Sequence, residues 1–127
     1  MRFERRGLHL VALKLLQMDR TLAERHYAEH AGKPFYESLV AYITSSPVAA
    51  MVWEGPNCVA LVRAMMGATD PVAAPPGTIR GDYALHLNNN MVHGSDSVQR
   101  GAEEVALFFA PNEIVEWRSE ISRWVTG

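Results

Sequence analysis

The chain carries one cysteine, Cys58, which leaves no partner for an internal disulfide and no means of building a zinc site from several cysteines. A lone thiol is ordinary usage in a reducing compartment. There is no run of five like charges, and the formal net charge is -2. That excludes the basic stripe with which a domain wraps nucleic acid, so any phosphate would be held by a few placed cations. No apolar run approaches the roughly 20 residues of a membrane span. Arg2, Arg5 and Arg6 ahead of Leu8 to Leu16 imitate a signal peptide, but His9 and Lys14 interrupt the stretch and no small-residue cleavage site follows. Repeats, low-complexity tracts and a Walker-type glycine loop are also missing, so phosphate binding of the P-loop kind is excluded. The expectation is a cytoplasmic protein with no membrane and no nucleic-acid partner.

What is present suits one packed domain over residues 1–127: 48% of the residues are hydrophobic and 20% charged. Residues 2–6 read as the end of a helix stopped by Gly7. Leu8 to Met18 reads as a buried strand, and Asp19 or Thr21 caps a helix running to about His30. Gly32-Lys33-Pro34 ends it, and Phe35 to Ile43 has helical spacing. Pro47 opens a strand, Val48 to Trp53. Asn57 caps a helix that buries Val59, Val62, Met65 and Met66 and stops at Gly67. Residues 68–82, with Pro71, Pro75, Pro76, Gly77 and Gly81, read as a functional loop. Asn90 to His93 is expected to be extended, 97–109 helical, and Pro111 the first residue of a last helix to about Val125. Strands alternating with helices in one small chain imply α/β or α+β layering.

The residues able to carry chemistry gather in three places. Asn90-Met91-Val92-His93-Gly94-Ser95-Asp96 presents a histidine outside any helix. Imidazole ordinarily titrates near 6.5, so its neutral form is a competent nucleophile at neutral pH. Gly94 permits close approach of a bulky anion. The same string also fits a turn in which His93 merely packs. Arg63, Thr69, Thr78 and Arg80 lie in or beside the long loop, and guanidinium forks with hydroxyls match phosphate oxygens; solvated arginines are the plainer reading. Glu104 lies eleven residues after His93, in the following helix, where a carboxylate can fix which imidazole nitrogen is free; a solvated Glu103–Glu104 face fits as well. Phe35, at a helix start, can stack on a base or belong to the core. His26 and His30 are four apart, a spacing metal sites use, but no third ligand converges with them.

Read together, these strings resemble the nucleoside diphosphate kinase family across nearly the whole chain. The resemblance is carried by His26-Tyr27, Lys33-Pro34-Phe35-Tyr36, Ser46-Pro47-Val48, Met51-Val52-Trp53-Glu54-Gly55, Met66-Gly67-Ala68-Thr69, Pro76-Gly77-Thr78-Ile79-Arg80-Gly81-Asp82 and Val92-His93-Gly94-Ser95-Asp96-Ser97. It implies that His93 is the phosphohistidine nucleophile, that Glu104 and Ser95 orient and support its imidazole, and that Tyr27 stands near the transferring phosphate. Arg63, Thr69 and Arg80 would then clamp the phosphates and Asn90 would contact the ribose. Phe35 would stack on the base, with Leu39 and Leu87 at the flanking apolar positions. Asp96 would stand near the Mg2+ that rides on the nucleotide.

The implied activity is transfer of the γ-phosphate of ATP or another nucleoside triphosphate to a nucleoside diphosphate. The implied fold is α+β, a ferredoxin-like βαββαβ sandwich, and the implied assembly a homo-oligomer, hexamer or tetramer. Two departures from the family pattern stand out. Asn88-Asn89 replaces the usual Gly-Arg before the ribose contact. The family's first strand, its Lys-Pro-Asp motif and most of its first helix have no counterpart in these residues. The rival expectation is a catalytically impaired homologue or fragment that binds nucleotide or assembles with full-length subunits.

Overall fold

Asp19 shows how closely local chemistry sets the elements. It takes extended backbone and accepts from the Leu22 N–H at 2.8 Å, which starts helix α2, Arg20–His26. The computed structural model describes residues 2–87, 89 and 91–117. Ahead of α2 stand helix α1, Arg2–Arg5, and strand β1, His9–Leu16, separated by Gly7 at φ 92. The helix expected to reach His30 stops at His26, because Tyr27 leaves helical backbone and Ala28–His30 continues as a 3-10 turn. Helix α3, Tyr36–Thr44, packs with α2, and Arg20 ties the two by meeting Glu24 at 2.7 Å and Glu37 at 2.8 Å.

Strand β2, Val48–Glu54, pairs with β1 in a two-stranded sheet, and helix α4, Cys58–Met66, follows. Asn57, expected to cap α4, directly precedes it, and its carbonyl accepts from the Leu61 N–H at 2.9 Å. It stands at φ 55, in the left-handed region that asparagine tolerates. Of the four side chains expected to be buried on α4, Met66 alone is fully so, at 1% exposure.

The expected loop 68–82 contains a 3-10 turn, Pro71–Ala73, capped by Asp70, and the start of a short helix α5, Ile79–Tyr83, capped by Thr78. The Thr78 hydroxyl accepts from Gly81 N–H and donates to the Pro75 carbonyl at 2.6 Å. Of the stretch expected to be extended, Met91 to His93 form no strand, with Met91 at φ 73, and Asn90 lies outside the described residues. Helix α6, Val98–Phe108, starts where Ser97 accepts from the Arg100 N–H at 3.0 Å.

Pro111 opens only a 3-10 turn, Pro111–Glu113. Beyond it Ile114 takes extended backbone, the Val115 N–H goes to the Val11 carbonyl of β1, and the Trp117 indole N–H goes to the Leu10 carbonyl, each at 2.8 Å. The Val115 bond uses a backbone donor that a helix would need, and residues 118–125 of the expected helix lie outside the described residues.

The architecture is α+β, and the chain divides into two compact units of interleaved sequence. Unit 1 comprises residues 1–14, 50–66 and 94–127; unit 2 comprises 15–49 and 67–93. Unit 1 holds α1, most of the two strands, α4 and α6, and buries Leu8, Val11, Ala12, Met66 and Phe109. Unit 2 holds α2, α3 and α5 and buries Met18, Ala23, Tyr27, Val40 and Ala74. Among the described residues no helix is long and apolar enough to cross a membrane.

Two outcomes follow for stability. Met18 is 2% exposed, so Met18→Ala should lower the unfolding free energy in denaturant titrations. The expected loss is about 2–5 kcal/mol, and a change within experimental scatter would contradict the assigned core. In unit 1, the Ala110 N–H and then Lys14, at 3.1 Å, hold the Glu113 carboxyl below its ordinary 4.5. A carboxylate lowered on folding stabilises fully above its unfolded pKa, and that contribution is lost as pH falls through the folded value. In melts taken downward from pH 5, Glu113→Gln should therefore show a shallower acid loss than the wild type. Parallel curves would exclude the pair as a contributor.

Candidate active site

His93 is exposed at the end of unit 2, and the backbone just before it is fastened from within that unit. Arg80, in the first turn of α5, is only 3% exposed. Its guanidinium donates to the Val92 carbonyl at 2.8 Å and to the Gly67 carbonyl at 3.3 Å. Gly67 stands at φ 90, and a Cβ there would come within 2.5 Å of the Thr78 hydroxyl oxygen. The cap of α5, the turn at Gly67 and the residue preceding His93 therefore form one connected piece. Beside it, the His26 ring meets that of His93 at 4.6 Å between centroids and 81° between planes. Tyr27, 9% exposed, lies 4.5 Å from His26 and 6.4 Å from His93 by the same measure.

The chain after His93 is held within unit 1. Arg63, on α4, donates to the Gly94 carbonyl at 3.2 Å. Gly94 was expected to make room for an anion. The structure supplies a different reason for the glycine, since a Cβ would meet Met66 Sδ at 2.5 Å and Val62 Cγ1 at 3.4 Å. Ser95 lies against Gly101, where a Cβ would stand 3.8 Å from the Ser95 hydroxyl oxygen. The two acidic residues of α6 diverge: Glu103 is exposed and pairs with Arg100 at 2.7 Å, whereas Glu104 is 8% exposed. Asp96 is exposed. Cys58 donates its thiol to the Trp53 carbonyl at 3.3 Å, and burial, then Glu54, pushes the thiol pKa up, which unsuits it as a nucleophile.

The remaining residues singled out in the sequence are in unit 2. Phe35, 42% exposed, is the N-cap of α3, its ring 5.4 Å from that of His30 and 5.8 Å from the Lys33 ammonium. Leu39 is half-buried one turn on, and Thr69 and Leu87 are exposed. Asn90 lies outside the described residues. In the sequence His26 stands out as half of a metal spacing and within the string His26-Tyr27, neither of which places its ring beside His93. Sequence reasoning allowed Arg63 and Arg80 to be solvated, whereas both are engaged with backbone. Neither feature has a local signature, since each joins residues more than ten positions apart.

A family model described as nucleoside diphosphate kinase matches residues 1–114. The chain belongs to the nucleoside diphosphate kinase family. Among relatives of that name, the one from Pelotomaculum thermopropionicum is 56% identical over 124 residues, 98% of this chain and 83% of the relative. One from Listeria monocytogenes is 55% identical, again over 98% of this chain and 84% of the relative. Of solved structures, the halophilic nucleoside diphosphate kinase from Halobacterium salinarum, in complex with CDP, superposes with a TM-score of 0.96 at 49% identity. That match covers 99% of this chain and 84% of the other. A family member from Babesia bovis gives 0.93 at 40% identity, covering 98% and 84%.

In this family member, the close packing at Gly94 can be tested directly. Gly94→Ala should lower stability by about 1–3 kcal/mol, the usual range for overpacking. In a Met66→Ala background the added cost should fall below about 1 kcal/mol, because the clashing atom is gone. Equal costs in the two backgrounds would show that Met66 is not the obstacle.

Proposed function

We propose that the chain transfers the γ-phosphate of a nucleoside triphosphate to a nucleoside diphosphate by a ping-pong route through His93. The observation that carries this reading is an exposed histidine whose neighbouring carbonyls are held by two arginines, in a chain of this family. In the first half-reaction an imidazole nitrogen attacks the γ-phosphorus. An N–P bond forms, and the P–O bond to the bridging oxygen breaks. Its electron pair leaves with the nucleoside diphosphate. In the second, a terminal phosphate oxygen of another diphosphate takes the phosphoryl group and frees the imidazole. Such transfers ask chiefly for positioning and charge neutralisation. Arg63, Arg80 and Thr69 are the candidates for the phosphates, Tyr27 for the neighbourhood of the transferring group, and Ser95 and Glu104 for orienting the imidazole. Asn90 is the candidate for the ribose.

Mg2+ fits the same reading. Asp96 offers one exposed hard oxygen donor, which suits a cation that brings most of its ligands from nucleotide and water. Bound there, the ion would neutralise phosphate charge. The ferredoxin-like arrangement is proposed with the activity, supported by the α+β layout and the superposition on family structures. A cytoplasmic location goes with the single cysteine. A homo-oligomer is supported by Leu13 and Leu15, which stand 61% and 75% exposed two residues apart on β1.

Incubation with radiolabelled ATP should give an acid-labile, base-stable label that disappears in His93→Ala while ADP binding persists. Label retained in His93→Ala removes the assignment, and no label in the wild type leaves a nucleotide-binding homologue as the surviving reading. Base selectivity should be weak, because Phe35, Leu39 and Leu87 offer stacking and apolar contact without a donor–acceptor code. Competition titrations with the common nucleoside diphosphates should agree within about tenfold. A preference above about a thousandfold, some 4 kcal/mol, would require a base-reading group not among these residues.

A further inference from the structure

His26 closes helix α2 and is 3% exposed, a degree of burial more usual for an apolar side chain. Its ring stands nearly perpendicular to that of His93, 4.6 Å away and at 81°. The helix that carries it is well fixed. Asp19 caps the first turn, Ala23 is fully buried, and Arg20 ties α2 to Glu37 of α3. Tyr27 packs on the same His26 ring at 4.5 Å. His93 is itself exposed, yet one of its neighbours is a buried, rigidly mounted plane.

An imidazole turns about two side-chain torsions, and the second is broad, so ring direction is poorly defined by the side chain itself. Productive geometry at a reacting centre demands an orientation held within about 10–20°. A flat ring set against the imidazole narrows that torsion without touching the nucleotide.

We propose that His26 is a positioning residue for phosphoryl transfer, its ring setting the plane of the His93 imidazole so that the attacking nitrogen faces the γ-phosphorus. The proposal rests on the reading of His93 as phosphate acceptor. His26 takes no part in the bond changes and no proton from the substrate. Its effect belongs to the rate of N–P bond formation at saturation and leaves nucleotide affinity nearly untouched.

The test is single-turnover phosphorylation of the full chain by labelled ATP, in wild type, His26→Ala, His26→Leu and His26→Phe, with thermal melts and ADP titrations alongside. His26→Ala should slow the step at saturating ATP by about tenfold or more, in line with the cost of small misplacements, while ADP affinity changes by less than about threefold. His26→Phe keeps a flat ring and should recover to within about threefold of wild type. His26→Leu fills the space without a flat face and should remain slow, which keeps the question open to an answer if the alanine variant does not melt cooperatively. Wild type that takes no label overturns the reading of His93 and this proposal with it. Labelled wild type with His26→Ala equally fast overturns the positioning role alone. Leucine as fast as phenylalanine, or phenylalanine as slow as alanine, also overturns it.

Discussion

The buried guanidinium of Arg80 is the interaction on which the order around His93 depends. An ion taken out of water is tolerated only where hydrogen bonds replace its hydration. Arg80 receives part of that replacement from the carbonyls of Gly67 and Val92. Once those bonds are made, the turn at Gly67, helix α5 and the chain before His93 cannot shift separately. Charge-assisted bonds of this kind contribute about 1.5–3 kcal/mol each, and losing the donor takes a partner from two part-buried carbonyls as well. Lysine carries the same charge but lacks the fork that serves two acceptors at once.

Unit 1 repeats the device on the following residue. Arg63 reaches the Gly94 carbonyl, and Met66 fills the side of Gly94 where a Cβ would stand. A backbone nearly free of side-chain identity, Val92 to Gly94, is thus specified by residues far away in sequence. In a phosphoryl-transfer site such mounting serves chemistry, because catalysis there comes from placement and charge more than from covalent assistance by the protein. An arginine engaged with a carbonyl also keeps a fixed direction, so it does not have to be ordered again when an anion arrives.

Most elements were legible in the sequence because their signals are local. Asp19 and Ser97 are caps that act within three residues, Gly7 and Gly67 take positive φ, and the apolar run from Leu8 became β1. Local pattern suits a helix after Pro111, whereas a long-range backbone bond is made there instead, and the surroundings of His93 are likewise set by residues distant in sequence. Val115 and Trp117 give their donors to β1, and Arg80 takes the carbonyl of Val92. For the site, the strings around His93 and Arg80 were enough to suggest phosphate chemistry. The burial of Glu104 against the exposure of Glu103, and the ring of His26 beside His93, depend on how helices pack. No spacing rule in a single sequence encodes that packing.

The claim that Arg80 acts by holding the backbone before His93 is tested most directly with Arg80→Lys. The quantity to measure is the rate of phosphohistidine formation at saturating ATP, beside the affinity for ADP. If the fork holds the backbone, the saturated rate should fall on the order of a hundredfold, the penalty typical of a displacement near 1 Å, and the melting temperature should fall with it. A variant that forms phosphohistidine at the wild-type rate once saturated, with only its ADP affinity weakened, would show that Arg80 supplies charge alone and would contradict the account.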